Sequence, residues 1–147
     1  MTSSLVSEQG FSLSERYENC NDPEQNRKIA VQFLELLFGR KDMLQHVVDT
    51  YISSKYVEHS PKFPDGKEGF YSGMNELFKK VPDLSISVRR SIAEKDMVWL
   101  HVHLKANETD LGSASVDIYR FEDGKIAEHW AVDEHIPEKS MNNNGMI

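Results

Sequence analysis

The hydrophobic period of this chain switches from helical to two at Leu84, and no other feature limits its possible folds as much. Over Met97–Lys105, Val98, Leu100, Val102 and Leu104 fall on one side and Met97, Trp99, His101 and His103 on the other. Residues 113–121 alternate in the same way. Asp123-Gly124 then reads as the turn of a hairpin whose return strand is 125–133. Leu84, Ile86 and Val88 begin the series, and Glu94-Lys95-Asp96 turns the chain before Met97. The spacing predicts an antiparallel meander of about four long strands.

Upstream of the switch the period is helical. Asp22 can cap a helix, Pro23 suits its first turn, and Gln25 completes a capping-box-like spacing. Ile29, Phe33, Leu36 and Leu37 then share one face, and Gly39 supplies a stop. A second helix is expected with Asp42 as its cap and Met43, Leu44, Val47, Val48 and Tyr51 along one side. A third follows Asp65-Gly66, with Phe70, Met74, Leu77 and Phe78 at i, i+4, i+7 and i+8 and Pro82 past its end. Helices followed by antiparallel strands imply an α+β fold. The expected form is a cone-shaped, curved antiparallel sheet with three N-terminal helices over its concave face, open at an apolar mouth that would take a small molecule. Residues 1–21 are polar and weakly patterned and read as a loosely structured tail, and 22–147 reads as a single domain.

Composition removes several function classes. Twenty-four Asp and Glu residues against 17 Lys and Arg give a formal net charge of −7, which argues against a nucleic-acid partner. Cys20 is the only cysteine, so an internal disulfide framework and a multi-cysteine zinc site are excluded. No apolar run approaches the roughly 20 residues of a membrane span, and the first residues lack a basic start and an apolar core. A cytoplasmic protein with no membrane partner is expected. No phosphate-binding Gly loop, nucleophilic Ser motif or dinucleotide fingerprint occurs, and no cofactor is expected.

The alternation also selects the residues that carry chemistry. Asp117 stands in mid-strand with Ser115, Tyr119 and Phe121 on its own face. A carboxylate there is costly unless it is paired, solvated or used, and an Arg on a neighbouring strand would be its plainest partner. In an apolar pocket the same group could take a proton α to a carbonyl and return it, an effect worth roughly 10²–10⁴ in rate. His101 and His103 share a face with Trp99 and admit two readings. They are donors beside Asp117, or they belong to an outer sheet face that meets a second copy of the chain, because the opposite, aliphatic face suits the helices. His101-x-His103 followed by Glu108 imitates a cupin-like ligand spacing, but the bracketing glycines are missing and the helical half does not suit that barrel, so no metal is expected. His59 lies in a short extended or turn segment, where pocket residues are common, and nearby Tyr56 offers either a phenolic donor or a satisfied core hydroxyl. His129 and Trp130 alternate faces, so only one can enter a cavity. Phe33, Phe70 and Met74 are helix-core residues that could also wall a pocket.

Three blocks carry a family resemblance: Tyr56-Val57-Glu58-His59-Ser60-Pro61, Asp65-Gly66-Lys67-Glu68-Gly69, and the run 116–130, VDIYRFEDGKIAEHW. With the ending Asn142-Asn143-Asn144-Gly145-Met146, the chain resembles the SnoaL-like polyketide cyclases, similar in fold to ketosteroid isomerase, scytalone dehydratase and nuclear transport factor two. The resemblance implies cofactor-independent acid/base chemistry, namely aldol-type cyclisation, isomerisation or dehydration, on a polyketide-like or cyclic carbonyl compound. It places the family's acid/base Asp at Asp117 and its Glu-His-Trp at Glu128, His129 and Trp130. On this reading His101, His103 or His59 holds the developing enolate oxygen, and Tyr56, Trp99, Tyr119, His129, Trp130, Phe33, Phe70 and Met74 are the substrate-binding candidates. Where the family commonly continues with Asp this chain has Ala131, and its 107–112 segment is short, so the pocket rim should differ. The expectation is a homodimeric enzyme. The alternative is a non-catalytic small-molecule-binding or dimerisation module of the same fold.

Overall fold

The computed structural model describes residues 22–147, so the expected tail and Cys20 lie outside the described residues. Helix α1, Pro23–Gly39, begins as the start signals require, with Asp22 Oδ1 accepting the Glu24 N–H at 3.0 Å. Ile29, Ala30, Phe33, Leu34 and Leu37 are its buried stripe. A 3₁₀ turn, Lys41–Met43, leads into α2, Leu44–Tyr51. Asp42 does not cap α2, because its carboxylate is held by the Arg40 guanidinium at 3.0–3.1 Å. The chain passes from Tyr51 straight into strand β1, Ile52–Glu58. Helix α3, Gly66–Lys80, starts at Asp65, whose Oδ1 accepts N–H groups from both Gly66 and Glu58.

Strands β2 (Ser85–Glu94), β3 (Met97–Lys105), β4 (Ser113–Glu122) and β5 (Lys125–His135) form the meander anticipated from the alternation. Asp123 and Gly124 turn β4 into β5 with φ of 52° and 73°, the left-handed pair that a two-residue hairpin turn needs. The sheet has five strands rather than four, in the order β1-β5-β4-β3-β2, and β1 runs parallel to β5. Its polar Ser53-Ser54-Lys55 stretch and a register shift between Ile52 and Val57 break the alternation that marks the other strands.

The helices lie on the face that carries Val98, Leu100 and Val102, all at most 1% exposed, together with Phe121 and Ile126. Each such side chain contributes about 1.5–3 kcal/mol by leaving water. Phe33 from α1 joins the layers, touching Tyr51, Phe70 and Tyr119 at ring-centroid distances of 5.7–6.2 Å. The result is three helices packed on a mostly antiparallel sheet.

The segment joining β1 to α3 lies against two glycines one turn apart on that helix. A Cβ at Gly69 would sit 2.6 Å from the Pro64 carbonyl oxygen, and one at Gly73 would run into the Phe63 ring. Alanine normally favours a helix over glycine by about 1 kcal/mol. Here the backbone contact reverses the sign, and Gly69→Ala should destabilise the protein by about 1–3 kcal/mol in urea unfolding. A stabilised variant would show that the segment moves aside freely.

Candidate active site

Three neighbouring strands bring a polar cluster under the helices. Glu58 on β1 and His129 on β5 are register partners, and on β4 Tyr119 stands opposite His129 with Asp117 one pleat further along the strand. His129 Nδ1–H donates to Glu58 Oε1 at 2.9 Å, and Nε2–H donates to Asp117 Oδ1 at 3.1 Å. A carboxylate only accepts, so a ring bonded to one on each side is a doubly protonated imidazolium. Burial works against that charge. The hydrogen bonds and charges of Asp117 and Glu58 outweigh it and push the His129 pKa up to about 9. Tyr119 stacks on the imidazole at 4.9 Å and holds its plane.

The two carboxylates differ in what surrounds them. The Glu58 side chain is wholly buried, and it also accepts the Tyr56 hydroxyl at 2.5 Å and the Ser60 N–H at 2.8 Å. Burial raises its pKa, but the His129 bond and these donors prevail and hold it below the usual carboxylate range. Asp117 has His129 as its hydrogen-bond partner and keeps part of its surface open to a cavity of about 120 Å³. Leu34, Leu37, Phe70, Met74 and Val102 give that cavity apolar walls, and Ser60, Ser115, Asp117 and His129 supply polar groups. On its exposed side the Lys62 ammonium meets Asp133 at 2.5 Å. Ala131, the cross-strand neighbour of Asp117, also lines the cavity.

Asp117, Tyr119, His129, Phe70 and Met74 therefore meet at one cavity, and His129 rather than Trp130 is the member of that pair that enters. Phe33 sits one layer behind the wall, and Tyr56 supports Glu58. Five other candidates, His101, His103, Trp99, His59 and Trp130, lie away from this cavity. His101 and His103 lie on the outer sheet face, where His101 Nδ1 accepts from Arg90 at 2.8 Å and His103 Nε2–H donates to the Leu111 carbonyl at 2.8 Å. Trp99 shares that face, since the helices take the aliphatic side of β3. His59 is also outside, stacked on Trp130 at 4.5 Å and bonded to Glu128 at 2.8 Å. The reason is strand parity: Glu58 points in, so His59 points out, and Trp130 follows His129 in the same way. Glu58 was not singled out from the sequence. Its signal was Tyr56, two residues earlier on the same face. Among the described residues no group of three or more His, Cys, Asp or Glu side chains is arranged to hold a metal ion, and no helix is long and apolar enough to cross a membrane.

The elevated pKa of His129 dictates the sign of the pH dependence. The folded pKa of about 9 exceeds the ordinary histidine value of 6.5, so the stabilisation is complete below 6.5 and disappears as pH rises through 9. Denaturant unfolding should show a loss of about 3 kcal/mol at most across that window. NMR should find the His129 ring protonated at pH 7.5, with Glu58→Gln lowering its midpoint. A wild-type midpoint near 6.5 would contradict the clamp.

This arrangement of elements is shared with solved structures. A candidate ketosteroid isomerase from Kribbella flavida DSM 17836 has a TM-score of 0.65 at 16% identity, over 86% of this chain and 90% of that one. A candidate SnoaL-like polyketide cyclase from Jannaschia sp. CCS1 gives 0.64 at 19% identity, over 76% and 87%. TsrD from Streptomyces laurentii gives 0.62 at 19% identity, over 77% and 90%. At such identities the likeness is one of fold. No curated protein matches the chain. The sequence profile of the SnoaL-like polyketide cyclases does match, over residues 28–137, from within α1 to just past β5. The chain is thus a member of the SnoaL-like polyketide cyclase family, with the fold of nuclear transport factor two.

Proposed function

We propose that this protein is a cofactor-independent acid/base enzyme, a cyclase, isomerase or dehydratase acting on a cyclic or polyketide-like carbonyl compound, with Asp117 as the proton carrier. One observation carries the reading: Asp117 presents a carboxylate to an apolar cavity while the imidazolium of His129, itself braced by Glu58, compensates its charge from behind. A base held in this way needs no reorganisation when it accepts a proton from carbon. The cavity of about 120 Å³ is on the scale of one that takes a single benzene ring, so it suits one ring of a substrate with the remainder extending past Lys62 and Asp133.

Proton exchange at carbon tests this directly. In D₂O the wild-type protein should exchange the α-protons of small cyclic ketones, followed by proton NMR. Asp117→Asn should lower that rate by roughly 10²–10⁴ while leaving the circular dichroism unchanged. An undiminished rate removes Asp117 from the mechanism. Ketone binding without exchange in the wild type favours the carrier alternative.

We also propose a homodimer formed through the outer sheet face. Ile92, Trp99, Ile118 and Trp130 are successive cross-strand neighbours there, with Val116 and Val132 in the adjacent row. Ile92 is 66% and Val132 71% exposed, an unusual apolar display on a folded surface. A self-complementary two-fold contact would cover this face. Sedimentation velocity at micromolar concentration should find a dimer that Val132→Glu converts to monomer, and a monomeric wild type overturns the assignment.

A further inference from the structure

Proton removal next to a carbonyl leaves negative charge on the carbonyl oxygen, and a donor must meet it. The histidines offered for this task by the sequence face the other side of the sheet or the solvent. His129 has both ring nitrogens engaged, and the Tyr56 hydroxyl is given to Glu58. Besides Ser60, whose Oγ accepts the Lys62 N–H at 3.4 Å, two cavity-lining hydroxyls remain, both on the strand of Asp117. Ser115, Asp117 and Tyr119 alternate along β4 with their side chains on the cavity face, successive members about 6.8 Å apart by strand geometry. Both hydroxyl residues are buried, at 7% and 4% exposure. Among the described residues no group accepts either hydroxyl, and neither oxygen is sealed off from the cavity. An unsatisfied buried O–H is costly unless something else comes to accept it.

Tyr119 is the better donor of the two. Its ring is held in place by the stack on His129 and an edge contact with Phe33 at 6.0 Å. Burial first, and then the charge of Asp117, push its pKa well above the ordinary phenol value, so it keeps its proton and remains a donor.

We propose that Tyr119 Oη is the donor site for an enolate-like oxygen carried on a single small ring. The catalytic use of this site rests on the acid/base reading of Asp117. In the step it serves, an Asp117 oxygen takes the proton from the carbon next to the carbonyl. The C–H electron pair becomes the new C=C bond, and the C=O π pair moves onto oxygen. That oxygen accepts a hydrogen bond from Tyr119, which keeps its proton. Asp117 then returns its proton to carbon, and no other reactant is consumed.

The probe is 4-nitrophenol, a one-ring enol analogue whose anion absorbs at longer wavelength than the neutral form. Asp117→Asn protein, free of the repelling carboxylate, should bind it and ionise it at lower pH than in solution. Adding Tyr119→Phe, which keeps the stacked ring, should weaken nitrophenolate binding at least tenfold and return the ionisation toward its free value. With ¹³Cζ-tyrosine labelling, the Tyr119 resonance of the Asp117→Asn protein should shift on addition of the probe, which reports the contact without a second substitution. Equal binding by the Tyr119→Phe protein, an unmoved Tyr119 resonance, or no uptake at millimolar probe overturns the proposal. Binding requires no proton transfer, so failure here removes the Tyr119 donor and leaves the role of Asp117 to the exchange experiment.

Discussion

An imidazolium gripped by a carboxylate on each neighbouring strand is the contact on which this architecture turns. His129 on β5 reaches Glu58 on β1 and Asp117 on β4, so one ring ties three strands together beneath the helices. Two anions alone in that apolar layer would repel and would lack solvation. One cation between them makes the burial tolerable, and loss of His129 would leave two carboxylates without compensation. The clamp also explains the placement of β1. Only the register that pairs Glu58 with His129 sets a carboxylate against Nδ1, whereas a slip by one residue would bring His59 inward and expose Glu58.

The asymmetry of the clamp separates support from chemistry. Glu58 is enclosed by three donors, from His129, Tyr56 and the Ser60 backbone, so it orients the ring and holds its positive charge. Asp117 meets the same ring from the other side and keeps a face toward the cavity. Paired titratable groups whose surroundings pull them toward different roles are a common mark of an acid/base site. Tyr119 belongs to both halves, packing on the imidazole while its hydroxyl borders the cavity.

Much of this could be read along the chain, because helical and strand periods are local. The starts of α1 and α3 at Asp22 and Asp65, the full extent of β3, and the Asp123-Gly124 turn all follow from short-range sterics and hydrogen bonding. Asp117 stood out because a mid-strand carboxylate requires a reason. Its partner did not, since an Arg on an adjacent strand was as natural a choice as His129. Strand β1 was obscured by its polar stretch and its bulge, and with it went the parity that sends Glu58 inward and His59 outward.

Periodicity and turn chemistry, which depend on residues only a few positions apart, were enough to establish an α+β chain with an alternating sheet and a carboxylate at its centre. They also showed that His101 and His103 share one side of β3 and the aliphatic row the other. Which side meets the helices, and which carboxylate comes within 2.9 Å of His129 Nδ1, depended on strands about seventy residues apart finding their register. That pairing is set by burial and charge compensation summed over the assembled sheet, quantities that no short window of sequence contains.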